Sequence, residues 1–245
     1  MTAVDRYFSI LSETLGRVRN TQGPALETAA RRVFEAVRSG RLLYTFGTGH
    51  GHLLALEVFY RAGGLAPVCP MLDEALMLHR SAAGSTLAER DEGRVARLLE
   101  RYPLSGGDVL IISSNSGRNA VPVLLAQKAR RRGMYVIALT SLAHSSSVTG
   151  RNPSGLRLFE TADLVLDNGG VPGDAAVSFP DSSVAGPTST AVGAAILQAV
   201  LCRVRELSLE EGTPVDFFVS SNIDGGDAVN DRLVEKYRDR IPCLK

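Results

Sequence analysis

The chain has 245 residues, 27 Lys+Arg against 26 Asp+Glu for a formal net charge of +1, and 44% hydrophobic residues. This is ordinary globular composition with enough length to bury a substantial core, and it excludes a disordered chain and a strongly basic nucleic-acid binder. Cys69, Cys202 and Cys243 are too scattered for a disulfide framework or a zinc site, so a reducing, cytoplasmic setting is expected. Asp5 and Arg6 interrupt any leader-like apolar run, and the run from Ala191 to Cys202 is too short to span a bilayer.

Val4, Tyr7, Phe8, Leu11, Leu15 and Val18 recur at helical spacing over 3–20. Pro24 suits the first turn of a second helix, which runs to about Ser39. Leu42 to Phe46 reads as a strand that ends in Gly47-Thr-Gly-His-Gly51. A helix over 52–62, stopped by Gly63-Gly64, and a short strand from Pro67 to Leu72 follow. Helical segments are expected over 73–80 and 86–101. Asp108 to Ser113 is the clearest strand, and 119–132 an amphipathic helix that ends at Gly133. Met134 to Leu139 and Asp163 to Asp167 are further strands, and a long helix runs from Pro187 to about Leu209. The alternation of strand and helix predicts an α/β domain, a doubly wound parallel sheet flanked by helices. The last 35 residues read as an irregular extension. The expected organisation is therefore N-terminal helices over 1–40, the α/β domain over 41–210 and the extension over 211–245.

Ligands of open parallel sheets bind beyond the carboxyl ends of the strands, near helix N-termini. Two glycine-bearing polar loops sit at such ends. Gly47-Thr48-Gly49-His50-Gly51-His52 lacks the Lys-Ser/Thr of a phosphate-binding Walker loop, and His52 breaks the Gly-x-Gly-x-x-Gly pattern. Asp73 stands near where a ribose-binding acid of a dinucleotide fold would fall. The plainer alternative is a tight turn. Ser114-Asn115-Ser116-Gly117-Arg118-Asn119 puts hydroxyls, a glycine and free N–H groups ahead of a helix, a composition suited to cupping a phosphate. A simple N-cap would explain one of its serines but not the run.

Ser114-x-Ser116-Gly117-x-Asn119 after a strand resembles the Ser-x-Ser-Gly-x-Thr/Ser signature of SIS (sugar isomerase) domains, and Gly47-x-Gly49 matches their first loop. The resemblance spans about residues 25–210. His50, His52 and the run Glu57-Val-Phe-Tyr-Arg-Ala-Gly-Gly64 are similar to the phosphoheptose-isomerase-like branch. Gly51 and Asn119 depart from it, and each removes a hydroxyl. The resemblance implies a five-stranded parallel sheet, a phosphosugar ligand, no cofactor, and a homodimer or homotetramer with active sites shared between subunits. Neither nucleic acid nor membrane is an expected partner. The chain also looks like the actinobacterial type of SIS protein that expels water from N-acetylglucosamine 6-phosphate, an origin with which its arginine excess is compatible.

Glu57 is the only charged residue between Leu53 and Tyr60. A carboxylate on an apolar helix needs a partner or a task, and a low-dielectric site would tune it as a general base. Pairing with a nearby arginine is the plainer alternative. In phosphoheptose isomerases the helix acid falls about a turn later, where this chain has Arg61, so the role passes to Glu57 by analogy only. His79 closes Leu76-Met-Leu-His79, a run with a counterpart in the related branch, and is an acid–base candidate. Asp73 is placed to orient a hydroxyl or a histidine. His50, His52 and Glu57 could instead ligate zinc, but His-x-His spacing without cysteine is a weak signal, and no metal is expected. His144, in Ser141-Leu-Ala-His144, could line the pocket, while Thr188 and Ser189 open the long helix where hydroxyls can face a sugar or its phosphate. The expected function is a cofactor-free phosphosugar lyase, with Glu57 as base and a histidine assisting the leaving group. A phosphoheptose-type isomerase and a non-catalytic phosphosugar sensor are the alternatives.

Overall fold

Tyr44 and Phe46 alternate with Leu43 and Thr45 on a strand buried on both faces, as a central parallel strand must be. The computed structural model describes residues 1–245. It opens with helices α1 (Ala3–Thr21) and α2 (Gly23–Arg38). The following elements are β1 (Leu43–Gly47), α3 (Gly51–Glu57), β2 (Val68–Pro70), α4 (Ala82–Ala88) and α5 (Gly93–Arg101). Next come β3 (Val109–Ser113), α6 (Ala120–Arg131), β4 (Tyr135–Thr140), α7 (Leu142–Ser146), α8 (Leu158–Thr161) and β5 (Leu164–Asp167). A hairpin of β6 (Ala175–Ser178) and β7 (Val184–Pro187) leads into α9 (Ser189–Glu210), and α10 (Gly226–Tyr237) lies near the carboxyl end.

The five strands β1 to β5 form one parallel sheet in the order β2-β1-β3-β4-β5. Helices cover both faces, so the fold is the doubly wound α/β architecture that the alternating pattern predicts. On one face Leu43, Ile111 and Leu139 pack on Phe34 of α2 and on Val192, Ile196 and Val200 of α9. On the other, Tyr44, Ile112 and Val136 pack on Leu98 of α5 and Leu125 of α6. Each such fully buried aliphatic or aromatic side chain contributes about 1.5–3 kcal/mol. No helix is long and apolar enough to cross a membrane.

Several segments differ from the sequence reading. The expected helix over 73–80 is a single tight turn, Glu74–Leu76, capped by Asp73. The expected helix over 86–101 is broken between α4 and α5, where the Asp91 side chain accepts the Gly93 N–H at 3.0 Å in an Asx turn. The helix expected over 52–62 ends at Glu57, because Tyr60 turns to φ +45° and packs its ring on Phe218 at 5.0 Å. The carboxyl-terminal residues are not irregular: α10 follows, and Phe218, Tyr237, Ile241 and Leu244 are buried in the main core. Tyr237 Oη and Lys236 Nζ both donate to Asp216, each at 2.6 Å. The β6–β7 hairpin is a further element the sequence reading left unassigned.

Candidate active site

The strand order reverses direction between β1 and β3, and ligands of such sheets sit at that switch point. The loops after these two strands are the glycine loop Gly47–Gly51 and the serine loop Ser114–Asn119. Together with the end of α4, the start of α9 and the β6–β7 hairpin they enclose a cleft of about 750 Å³. The loops are packed backbone to backbone. A Cβ on Gly51 would stand 2.5 Å from the Ser113 carbonyl oxygen, and one on Gly47 would collide with the Gly51 carbonyl. The glycine at position 51, a departure from the family's serine, is thus required by the closeness of β3.

The serine loop is a nest of donors. The backbone N–H groups of Asn115, Ser116, Arg118 and Asn119 donate to no group of the protein. Gly117, at φ +57°, gives its N–H to Ser114 Oγ at 3.3 Å and reverses the chain within the loop. Free N–H groups converging at the start of the 12-residue helix α6 suit a phosphate dianion. Four buried polar atoms in this neighbourhood have no partner: Asn115 Nδ2, Asn119 Oδ1, His144 Nδ1 and Ser145 Oγ. Native interiors leave few such atoms, and a polar ligand is one way to satisfy them.

Glu89 bridges the two loops. Its Oε2 accepts Thr48 Oγ1–H at 2.8 Å, its Oε1 accepts Asn119 Nδ2–H at 2.5 Å, and its backbone carbonyl accepts the Val121 N–H at 3.0 Å. No lysine or arginine is among these partners. Burial pushes the Glu89 carboxyl above its ordinary value, and the Thr48 hydroxyl opposes the shift. A carboxylate with a raised pKa on the wall of a cleft has the properties of a general base. It stands at the end of α4, whose last turn points it there. The sequence reading passed over Glu89 because, in one continuous helix, the run Glu89-Arg-Asp-Glu92 looks like a solvated face.

Of the residues expected from the sequence, Thr48, Gly49, His50, Ser114, Asn115, Ser116, Asn119 and Ser189 line the cleft, as does His144. Others do not. Glu57 is bonded to Arg61 at 3.0 Å and to Gln198 Nε2 at 3.2 Å, the arginine pairing that was the plainer alternative. Asp73 caps its own turn and pairs with Arg94 at 3.1 Å. His79 is exposed on the loop beyond that turn. His52 is buried with Nδ1 against the Gly47 carbonyl at 3.3 Å, and burial holds its ring below the usual imidazole value. Arg118 turns away to the Thr149 carbonyl at 3.0 Å. Thr188 is buried beneath the start of α9. Glycine 117 packs against Leu158 and Ser145 and shapes the loop rather than the cleft wall. No three His, Cys, Asp or Glu side chains stand in a metal-binding arrangement.

A profile of the SIS domain matches residues 6–141 of the chain. The chain belongs to the SIS-domain family. This SIS protein is 45% identical over 242 residues to a UPF0309 protein of Geobacillus thermodenitrificans, an alignment covering 98% of this chain and 97% of the relative. Its fold resembles that of phosphoheptose isomerase GmhA from Neisseria gonorrhoeae, with a TM-score of 0.56 at 16% identity over 83% of this chain and 97% of that one. It also resembles the Vibrio vulnificus NanR protein complexed with ManNAc-6P, with a TM-score of 0.53 at 17% identity over 99% of this chain and 70% of that one. At such identities the likeness is one of fold.

Proposed function

We propose that this SIS protein is a phosphosugar lyase that removes water from an amino-sugar 6-phosphate, with N-acetylglucosamine 6-phosphate as the substrate. The observation that carries the reading is Glu89, a half-buried carboxylate that no lysine or arginine hydrogen-bonds, held by Thr48 and Asn119 at the junction of the two loops. The serine loop holds the phosphate on its free N–H groups. In the open-chain aldehyde the C2 hydrogen is acidified by the carbonyl. Glu89 takes that proton, and the electron pair is delocalised onto the carbonyl oxygen as an enolate. The C2 nitrogen carries an acyl group, so the ordinary aldose–ketose route is closed. The enolate collapses, the C2–C3 double bond forms and the C3–O bond breaks. His144, on the cleft wall, delivers the proton that leaves with the C3 oxygen as water. No redox step is involved.

The experiment is incubation with N-acetylglucosamine 6-phosphate in D₂O, followed by proton NMR. The reading expects loss of the C2 hydrogen together with a new vinyl signal. Deuterium at C2 without elimination would overturn the lyase in favour of isomerase chemistry. An unchanged spectrum alongside measurable binding would favour a sensor.

A further inference from the structure

Two helix N-termini open into the cleft, and they are finished differently. Ahead of α6 the loop N–H groups of Asn115, Ser116, Arg118 and Asn119 are free, while Val121 in its first turn donates to the Glu89 carbonyl. At α9, a helix of 22 residues, the N-cap residue Thr188 makes no side-chain capping bond. Asp174 caps the helix instead, from fourteen residues upstream. Its Oδ1 accepts the Thr188 N–H at 3.2 Å and the Ser189 N–H at 3.0 Å, and its Oδ2 accepts Ser189 Oγ–H at 2.5 Å. All of these partners are neutral, and Asp174 lines the cleft. Asp174 is held at φ +70°, a conformation non-glycine residues seldom adopt, to make this contact.

We infer that Asp174 sets the charge selectivity of the cleft. It occupies the anion position at the start of α9, where a second phosphate would otherwise bind. The cleft therefore takes a phosphomonoester whose other end is uncharged and donates hydrogen bonds, and it turns away bisphosphorylated analogues. The inference rests on the phosphate reading of the serine loop. It deepens that reading by naming which phosphosugars fit.

The test uses two open-chain probes that cannot turn over, mannitol 1-phosphate and mannitol 1,6-bisphosphate, titrated calorimetrically into the full chain. The wild type is expected to bind the monophosphate more tightly by roughly tenfold or more, the scale of a like-charge contact in a partly buried site. Asp174→Asn keeps a residue tolerant of positive φ and is expected to close that gap. Asp174→Gly, which suits the backbone and frees the α9 N–H groups, is expected to reverse it. Equal affinities in the wild type, or a gap that survives both variants, would overturn the inference while leaving the serine-loop site standing. If neither polyol phosphate nor inorganic phosphate binds, the phosphate reading fails and the inference with it.

Discussion

Glu89 is the residue on which the proposed chemistry turns, and its environment predicts its behaviour. Its folded carboxyl titrates above the ordinary value of 4.5 because burial penalises the charged form. The protonated form is thus favoured by folding. Its contribution to stability is fully present below 4.5 and is lost as pH rises through the raised value. Glu89→Gln removes this loss, so urea denaturation across pH should find the variant gaining on the wild type as pH rises through that window. The amide also fits, because Asn119 can turn its unpartnered Oδ1 to accept from it. The same variant should lose about 10²–10⁴-fold in turnover while still binding sugar phosphate, measured by NMR rates beside calorimetry. Catalysis in the wild type should rise with pH as Glu89 ionises. A phosphate dianion in the serine loop repels the carboxylate, so the pH midpoint of kcat should lie above that of kcat/KM.

At the scale of elements, the site depends on two interruptions of regular structure. The first is the contact of Gly51, at the start of α3, with the last residue of β3. Gly51→Ser restores the hydroxyl of the related branch but drives a Cβ into the Ser113 carbonyl, a backbone atom that cannot swing aside. The expected cost is about 1–3 kcal/mol of stability, with weaker phosphate binding, measured by urea denaturation and calorimetry. The second is the Asx turn at Asp91, which ends the α4 segment just where Glu89 meets both loops.

At the scale of the whole molecule, residues 211–245 complete the core rather than decorate it. Burial of Phe218, Tyr237, Ile241 and Leu244 against the sheet is worth on the order of 10 kcal/mol together. A domain's net stability is about 5–15 kcal/mol. A chain ended at residue 210 should therefore lose its cooperative unfolding transition and its near-ultraviolet circular dichroism signal. The β6–β7 hairpin is likewise tied to the amino-terminal helix. Tyr7 Oη donates to the Pro187 carbonyl at 3.0 Å, and the Arg6 guanidinium lies 5.3 Å from the Phe179 ring centre. Chain segments about 170–180 residues apart thus shape one wall of the cleft.

The sequence by itself determined the sheet. Strong local signals, the apolar runs of β1, β3 and β4 and the glycines and serines after them, mark strands and loops whatever the rest of the chain does. The family motif in the serine loop was legible for the same reason. Tertiary structure alone decided which carboxylate stands in the cleft. Glu57 is conspicuous because its neighbours are apolar, yet packing of α3 on α9 turns it to Gln198 and Arg61. Glu89 sits in a charged run that looks solvent-facing in one dimension, and Asp174 in a Gly-Pro segment that reads as a turn. The end of α4 places the first against the loops, and a left-handed backbone places the second at the start of α9. Periodicity reports which face of an element is apolar. Which polar residue is enclosed depends on the partner that an element finds across the fold.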